Sequence, residues 1–359
     1  MEQMTELFET MMTLTRSSIL NVDPDILSDL SIDWDRLMDI SREHGLIAWV
    51  NDGITKLPRE VKPTRSELIS WGLSSEEIIS TYKKQYSVLC KMIEVCEKNS
   101  IRLLLLKGVG LANLYPRPEL RSCGDIDIYL FNHYKEGNTL FGVDSLSETG
   151  LHSSFDFDGV NVENHQLLIY PNTKIKKAVG EYLLQVCDSA IATETGYYVL
   201  PPIPNLVYLL MHTLNHFDYT ANTNVIAIRN LLDISMFLLK HQPSLPPSEL
   251  YSILQRLHLD LSFEMIVYIA EWLLKIDLAD YHRGAISVND VEAILDFFEK
   301  YNYSLLYHEE WSLLKKSVYI RNRYYKIKPI AKYVPKKPKN GLLYLTMHQQ
   351  CSLLLRNRL

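Results

Sequence analysis

The chain has 359 residues, 47% of them apolar, with only 14 Gly and 15 Pro, which suits about two folded, helix-favouring domains and excludes collagen-like and disordered classes. No stretch of about 18 apolar residues occurs, and Glu2, Glu6 and Glu9 precede any apolar run, so neither a membrane span nor a secretory signal is expected and the chain reads as cytoplasmic. The net charge of −6 is unevenly spread, with twelve Lys or Arg and no Asp or Glu from Trp311 to the end and a body near −18 before it, a split that calls for an anionic partner of the tail or for docking of the tail on the body.

The first hundred residues read as helices joined by short breaks. Asp33 to His44 carries Trp34, Leu37, Met38 and Ile40 and stops at Gly45, the usual residue just past a helix end. Ser74 with Glu77 has the capping-box pattern, and apolar residues from Ile78 to Cys96 then recur at steps of three and four, which predicts one long helix with a single buried stripe. Ile101 to Leu106 is a short apolar run that ends at Lys107-Gly108, where a helical stretch opens from Val109 to about Tyr115. The order is strand, tight turn, helix. After Pro116, Pro118 and Gly124, the segment Asp125 to Phe131 alternates polar and apolar residues at its start, so Asp125 and Asp127 share a strand face.

A weak helical pattern covers Thr139 to Gly150. Asp158-Gly159 is a two-residue hairpin signal between Leu151 to Phe157 and Val160 to Tyr170, with Asn161, Glu163 and His165 on one face of the second arm. Helices return at Asn205 to Phe217, Val225 to His241, Ser248 to Leu257, Ser262 to Lys275 and Val288 to Tyr301, without a fixed repeat. Cys90, Cys96, Cys123, Cys187 and Cys351 form no close pair and read as reduced thiols.

Two aspartates at i and i+2 on one strand place acceptor-only groups a few ångströms apart, and their repulsion is relieved by a cation. Magnesium, held by one or two carboxylates plus phosphate oxygens and water, is the natural choice, and manganese the next. Glu163 on a later strand offers a third carboxylate. Upstream, Lys107-Gly108 at a helix start offers a point charge and backbone N–H groups to a phosphate. The competing readings are a solvated strand end for the aspartates and a plain tight turn for Lys107-Gly108.

Together these residues resemble the uncharacterised nucleotidyltransferase family of bacteria, within the polymerase-beta-like nucleotidyltransferase superfamily. The resemblance is carried by Leu105-Leu106-Lys107-Gly108, Leu111-Ala112, Tyr115, Arg121, Gly124-Asp125-Ile126-Asp127-Ile128 and Val162-Glu163-Asn164-His165, and it extends to His212, His216, Arg229 and Asp233 downstream. It covers about residues 33 to 300. It implies an α+β fold, a small mixed sheet of the polymerase-beta-like core embedded in a mostly helical chain. It also implies Asp125, Asp127 and Glu163 as catalytic metal ligands. Where the superfamily usually has Ser or Gly after the turn glycine, this chain has Val109, and Lys107-Gly108 resembles the version in nucleotidyltransferase-like toxins of abortive-infection systems.

The expected organisation is a helical lead-in at 1–100, a nucleotidyltransferase core at 101–200, a helical domain at 201–310 and a basic segment at 311–359. The expected activity is magnesium- or manganese-dependent transfer of a nucleoside monophosphate from a nucleoside triphosphate to an acceptor hydroxyl, with release of pyrophosphate. Lys107, Gly108, Arg121 and His165 are the candidate nucleotide contacts. Arg121 reads equally as a solvated loop residue, and His165 as a strand end. His212 and His216 are read as structural or substrate-contacting rather than as zinc ligands, and Arg229 with Asp233 as a partly buried pair on one helix face. A metal-dependent glycosyltransferase and a catalytically silent nucleotide-binding scaffold are the alternatives. The basic tail is expected to dock on the acidic body rather than to bind nucleic acid, because apolar residues such as Leu342, Leu345 and Leu353 follow its charges. The acceptor could be a small molecule, a sugar, a protein or an RNA end.

Overall fold

A computed structural model describes residues 2–25, 32–143, 152–216, 227–287 and 289–292. The chain opens with four helices: α1 (Glu2–Leu20), α2 (Trp34–His44), α3 (Ile47–Thr55) and the long α4 (Arg65–Lys98). The bounds of α2 follow its local chemistry, since the Asp33 side chain accepts from the Arg36 backbone N–H and Gly45 closes the helix in the left-handed region at φ 70°. The start of α4 differs from expectation. Thr64 and Glu67 form the capping box, ten residues before Ser74 and Glu77, which lie inside the helix. Both tetrads fit the same local pattern; α4 extends back to Thr64 because Trp71 and Ser75 are buried.

A sheet follows, woven through short helices. Its strands are β1 (Leu104–Leu105), β2 (Ile126–Tyr129), β3 (His152–Phe157), β4 (Val160–His165), β5 (Ile191–Ala192) and β6 (Tyr198–Val199). Between them lie α5 (Val109–Ala112), α6 (Tyr134–Leu140) and α7 (Lys174–Val186). The order across the sheet is β3-β4-β2-β1-β6-β5. β2 runs parallel to β4 and antiparallel to β1, so the sheet is mixed. α8 (Pro202–His216), α9 (Ile228–His241), α10 (Pro247–Arg256) and α11 (Asp260–Leu274) complete the described chain. The fold is α+β and mostly helical.

The two sheet faces have different covers. Leu105, Ile126, Ile128 and Val162 pack in one cluster with Val88, Leu89, Met92 and Ile93 of α4. Leu104, Tyr129 and Phe131 belong to a second cluster that includes Val179, Leu206 and Leu231 of α7, α8 and α9. With side chains alternating along β2, Ile126 and Ile128 take the α4 side and Asp127 takes the side of the helical half. The hairpin of β3 and β4 turns on Asp158 (φ 53°) and Gly159 (φ 75°), the two positive-φ positions of a type I′ turn. That turn sets the register in which His152 faces His165 and Ser154 faces Glu163.

Three expected elements are shorter or displaced. The helix after the Lys107-Gly108 turn is a single turn rather than a run to Tyr115, the Asp125 strand spans Ile126–Tyr129, and the helix expected from Thr139 to Gly150 overlaps α6 only at its start, since α6 ends at Leu140 and residues 144–150 lie outside the described residues. The expected helix from Val288 to Tyr301 lies largely, and the basic segment 311–359 wholly, outside the described residues. Among the described residues no helix is long and apolar enough to cross a membrane.

Two helical glycines give a test with opposite signs. A Cβ on Gly53 of α3 would meet the backbone of α1 at 2.8 Å from Leu14 Cα, whereas one on Gly72 of α4 meets nothing within 4 Å. Gly72→Ala is expected to raise the unfolding free energy by up to about 1 kcal/mol through helix propensity. Gly53→Ala is expected to lower it by about 1–3 kcal/mol through forced separation of α1 and α3. Denaturant midpoints of the two variants check both signs.

Candidate active site

The site is built where β2, β4 and the turn after β1 meet. Gly108 sits at φ 63° and ψ −121°, and a Cβ there would lie 2.8 Å from the Asp125 carbonyl oxygen. The turn therefore requires glycine both for its backbone angle and for its approach to the strand that carries the aspartates. From α4, the Gln85 side chain donates to the Gly124 carbonyl at 2.9 Å and holds the other approach to Asp125.

Parallel pairing sets Asp127 beside Glu163 in register. Asp125, Asp127 and Glu163 each offer an oxygen within 4.8 Å of the others. Asp127 is fully buried, Glu163 one-fifth exposed and Asp125 about one-third exposed, so the cluster grades from core to solvent. Lys107 Nζ lies 2.9 Å from Asp127 Oδ1 and 4.0 Å from Asp125 Oδ1. His165 Nε2 donates to the same Asp127 Oδ1 at 3.0 Å. Both contacts use one oxygen; Oδ2 is buried with no hydrogen-bond partner among the described residues. A buried carboxylate oxygen left without a donor, next to two further carboxylates, fits a divalent cation.

The titrations follow this geometry. Burial pulls Lys107 down, but the charges of Asp127 and Asp125, the hydrogen bond to Asp127 and the charge of Glu163 outweigh it and leave the amine above its ordinary value. Burial likewise opposes the charged form of His165, while hydrogen bonds to Asp127 and Glu163 raise it overall. The hydrogen bond from His165 is the main cause holding Glu163 below the usual carboxylate range. On α8, burial and then the charges of Asp127, Glu163 and Asp125 push the Tyr208 phenol well up.

The expected roles of Arg121, Arg229 and Asp233 change. Arg121 is buried, and it pairs with Asp233 through Nε to Oδ1 at 2.8 Å and Nη2 to Oδ2 at 2.6 Å. Its Nη1 donates to the Gly108 carbonyl at 3.0 Å. Tyr115 adds a hydrogen bond to Asp233 Oδ1 at 2.8 Å. Arg121 is thus not a solvated loop residue: its charge is matched by Asp233, it braces the glycine turn against α9, and it lines the cleft between the sheet and the helical half. The helical spacing of Arg229 and Asp233 does not make them an ion pair. Arg229 makes none among the described residues; its Nη1 donates to the Ser122 carbonyl at 2.9 Å and its buried Nε has no acceptor. Burial and then the neighbouring Arg121 charge hold Arg229 below its ordinary value.

Lys107, Gly108 and Asp125 form one wall of a cleft whose other wall includes His212, Arg229 and Asn230, so the space lies between the sheet and the helical half. His212 belongs to no metal-ligand cluster among the described residues. α8 ends at His216, whose side chain lies outside the described residues. His152 was not among the expected site residues, yet its Nε2 lies 3.4 Å from Glu163 Oε1. The Asp158-Gly159 turn carries the signal for it, because counting back from that turn pairs position 152 with 165.

A family model described as "Uncharacterised nucleotidyltransferase" matches residues 31–275. The chain belongs to that family, and its general chemistry is nucleotidyl transfer. No curated protein and no solved structure matches it.

Asp233→Asn leaves the buried Arg121 charge without its counter-charge. The expected cost is about 3–5 kcal/mol of unfolding free energy, the range for breaking one side of a buried pair. Equilibrium denaturation measures it, and a loss below about 1 kcal/mol would show that the Arg121–Asp233 contact does not brace the turn.

Proposed function

We propose that this chain transfers a nucleoside monophosphate from a nucleoside triphosphate to an acceptor hydroxyl and releases pyrophosphate. The observation that carries the reading is the Asp125, Asp127 and Glu163 cluster with its unpartnered buried oxygen, beside a cleft lined by Lys107 and Arg229. Asp125, Asp127 and Glu163 would hold magnesium or manganese, which supplies charge neutralisation at the transferring phosphorus and activation of the attacking oxygen. Lys107 keeps Asp127 in place through one N–H and has further donors for a phosphate oxygen. Arg229 presents a guanidinium with no carboxylate partner among the described residues, and a terminal phosphate would take two of its N–H groups side by side. The helix after Gly108 is one turn long, so the phosphate charge falls mainly to Lys107 and Arg229 rather than to a helix dipole.

Glu163 is better suited to hold a cation than to remove the acceptor's proton. A carboxylate held below its usual range is a weak general base near neutral pH. A catalytically silent nucleotide-binding scaffold is the second reading, favoured by Val109 in place of a hydroxyl residue. The basic tail is proposed to dock on the acidic body; truncation at Trp311 is then expected to lower stability, and the intact chain is expected to show no tight, salt-sensitive RNA binding.

Pyrophosphate release from labelled triphosphates with cell extract and magnesium separates the two readings. Asp125→Asn and Asp127→Asn are each expected to reduce release by at least about 100-fold. Arg229→Ala is expected to act mainly on KM for the triphosphate, raising it by roughly 10-fold or more. Triphosphate binding without pyrophosphate release from any extract fraction would favour the silent scaffold.

A further inference from the structure

Outside the all-oxygen cluster, the hairpin brings a different donor set together. The type I′ turn at Asp158-Gly159 places His152 directly opposite His165, and Glu163 lies two residues from His165 on the same face. Each imidazole meets its own oxygen of that carboxylate: His152 Nε2 is 3.4 Å from Oε1, and His165 Nε2 is 3.6 Å from Oε2. The three residues each offer a donor atom within 4.8 Å of the others.

We propose that His152, Glu163 and His165 form a second metal site, beside the carboxylate cluster and sharing Glu163 with it, that takes a first-row transition-metal ion such as Zn2+ in preference to Mg2+, with Mn2+ serving as its spectroscopic stand-in. The spacing supports this: each imidazole nitrogen lies 3.4–3.6 Å from one oxygen of the shared carboxylate, a separation that two donors bound about 2.0–2.2 Å from a common ion can take, with Glu163 spanning the ion through both oxygens. Two histidines and one glutamate are also a donor set that leaves a coordination position open. Imidazole nitrogen favours zinc and its neighbours, whereas magnesium prefers oxygen ligands and gives up its water reluctantly. His165 Nδ1 is buried without a hydrogen-bond partner among the described residues, and Nε2, which faces both carboxylates, is the nitrogen placed to bind an ion. His152 and Glu163 are each about one-fifth exposed, which leaves an entry path from solvent. Binding uses the lone pair of each Nε2, so the proton that His165 Nε2 donates to Asp127 Oδ1 in the ion-free chain leaves to water, and Lys107 remains the donor to that oxygen.

The alternative role for the pair is as imidazolium counter-charges to Glu163, with no ion between them. Manganese binding to the full chain, followed by electron paramagnetic resonance in excess Mg2+, distinguishes the two. The site predicts one Mn2+ that magnesium does not displace and whose spin-echo modulation shows coupling to imidazole nitrogen. His152→Ala is expected to weaken that ion by more than the roughly 10–100-fold that losing an outer-shell partner costs. His152→Gln, which keeps the bulk of the side chain, must also lose the nitrogen coupling from that position while the circular dichroism stays that of the parent. Asp125→Asn should leave the nitrogen-coupled ion in place. Absence of nitrogen coupling, or full displacement by magnesium, overturns the site. A nitrogen-coupled ion in a chain that releases no pyrophosphate would sink the transfer reading and leave this site standing.

Discussion

Asp127 sits at zero exposure in the middle of a six-stranded sheet, where an ionised carboxylate costs several kcal/mol unless it is matched by opposite charge and hydrogen bonds. Much of the surrounding structure serves that requirement. β1 delivers Lys107, β4 delivers His165, and both converge on the same oxygen. The other oxygen is left without a hydrogen-bond partner among the described residues. A residue replaced by an apolar one of similar size would have removed the penalty outright. In the proposed reaction a divalent cation held by Asp125, Asp127 and Glu163 would account for the retained charge.

The cleft exists because the sheet and the helical half are held at a fixed separation. Arg121 does this through three contacts that cross between them, with Asp233 of α9 on one side and the Gly108 carbonyl on the other. Burial and the Asp233 charge act against each other on Arg121, and the pairing wins, leaving the guanidinium well above its ordinary range. With Arg121 matched in this way, Arg229 on the same helix as Asp233 lines the cleft with no ion-pair partner among the described residues, and in the proposed reaction it would meet the phosphate. Specificity for the phosphate end of a nucleotide would then come from the helical half, and the metal-holding groups from the sheet.

Much of this was legible in the sequence wherever the determinant is local. The Asp-Ile-Asp alternation fixed the face shared by the aspartates, the Asp158-Gly159 pair announced the hairpin, and Asp33 and Gly45 bounded α2. What failed to show was decided by distant partners. The Ser74-Glu77 pattern is as good a cap as Thr64-Glu67, and only the packing around Trp71 prefers the earlier start. Arg121 and Asp233 are separated by 112 residues, so the i, i+4 neighbour Arg229 looked like the natural partner. His152 lay at the end of a strand with no motif of its own, although the turn register pointed to it. The short strands β5 and β6, two residues each, carry too little periodicity to be seen.

The central claim is that the buried carboxylate cluster binds a nucleotide through a divalent cation. Isothermal titration of the full chain with a non-hydrolysable nucleoside triphosphate, with and without magnesium or manganese, tests it most directly. Saturable binding that requires the cation and is lost in Asp127→Asn, while that variant keeps its folded circular dichroism, is the expected result. Equal binding without the cation, or undiminished binding by Asp127→Asn, would contradict it.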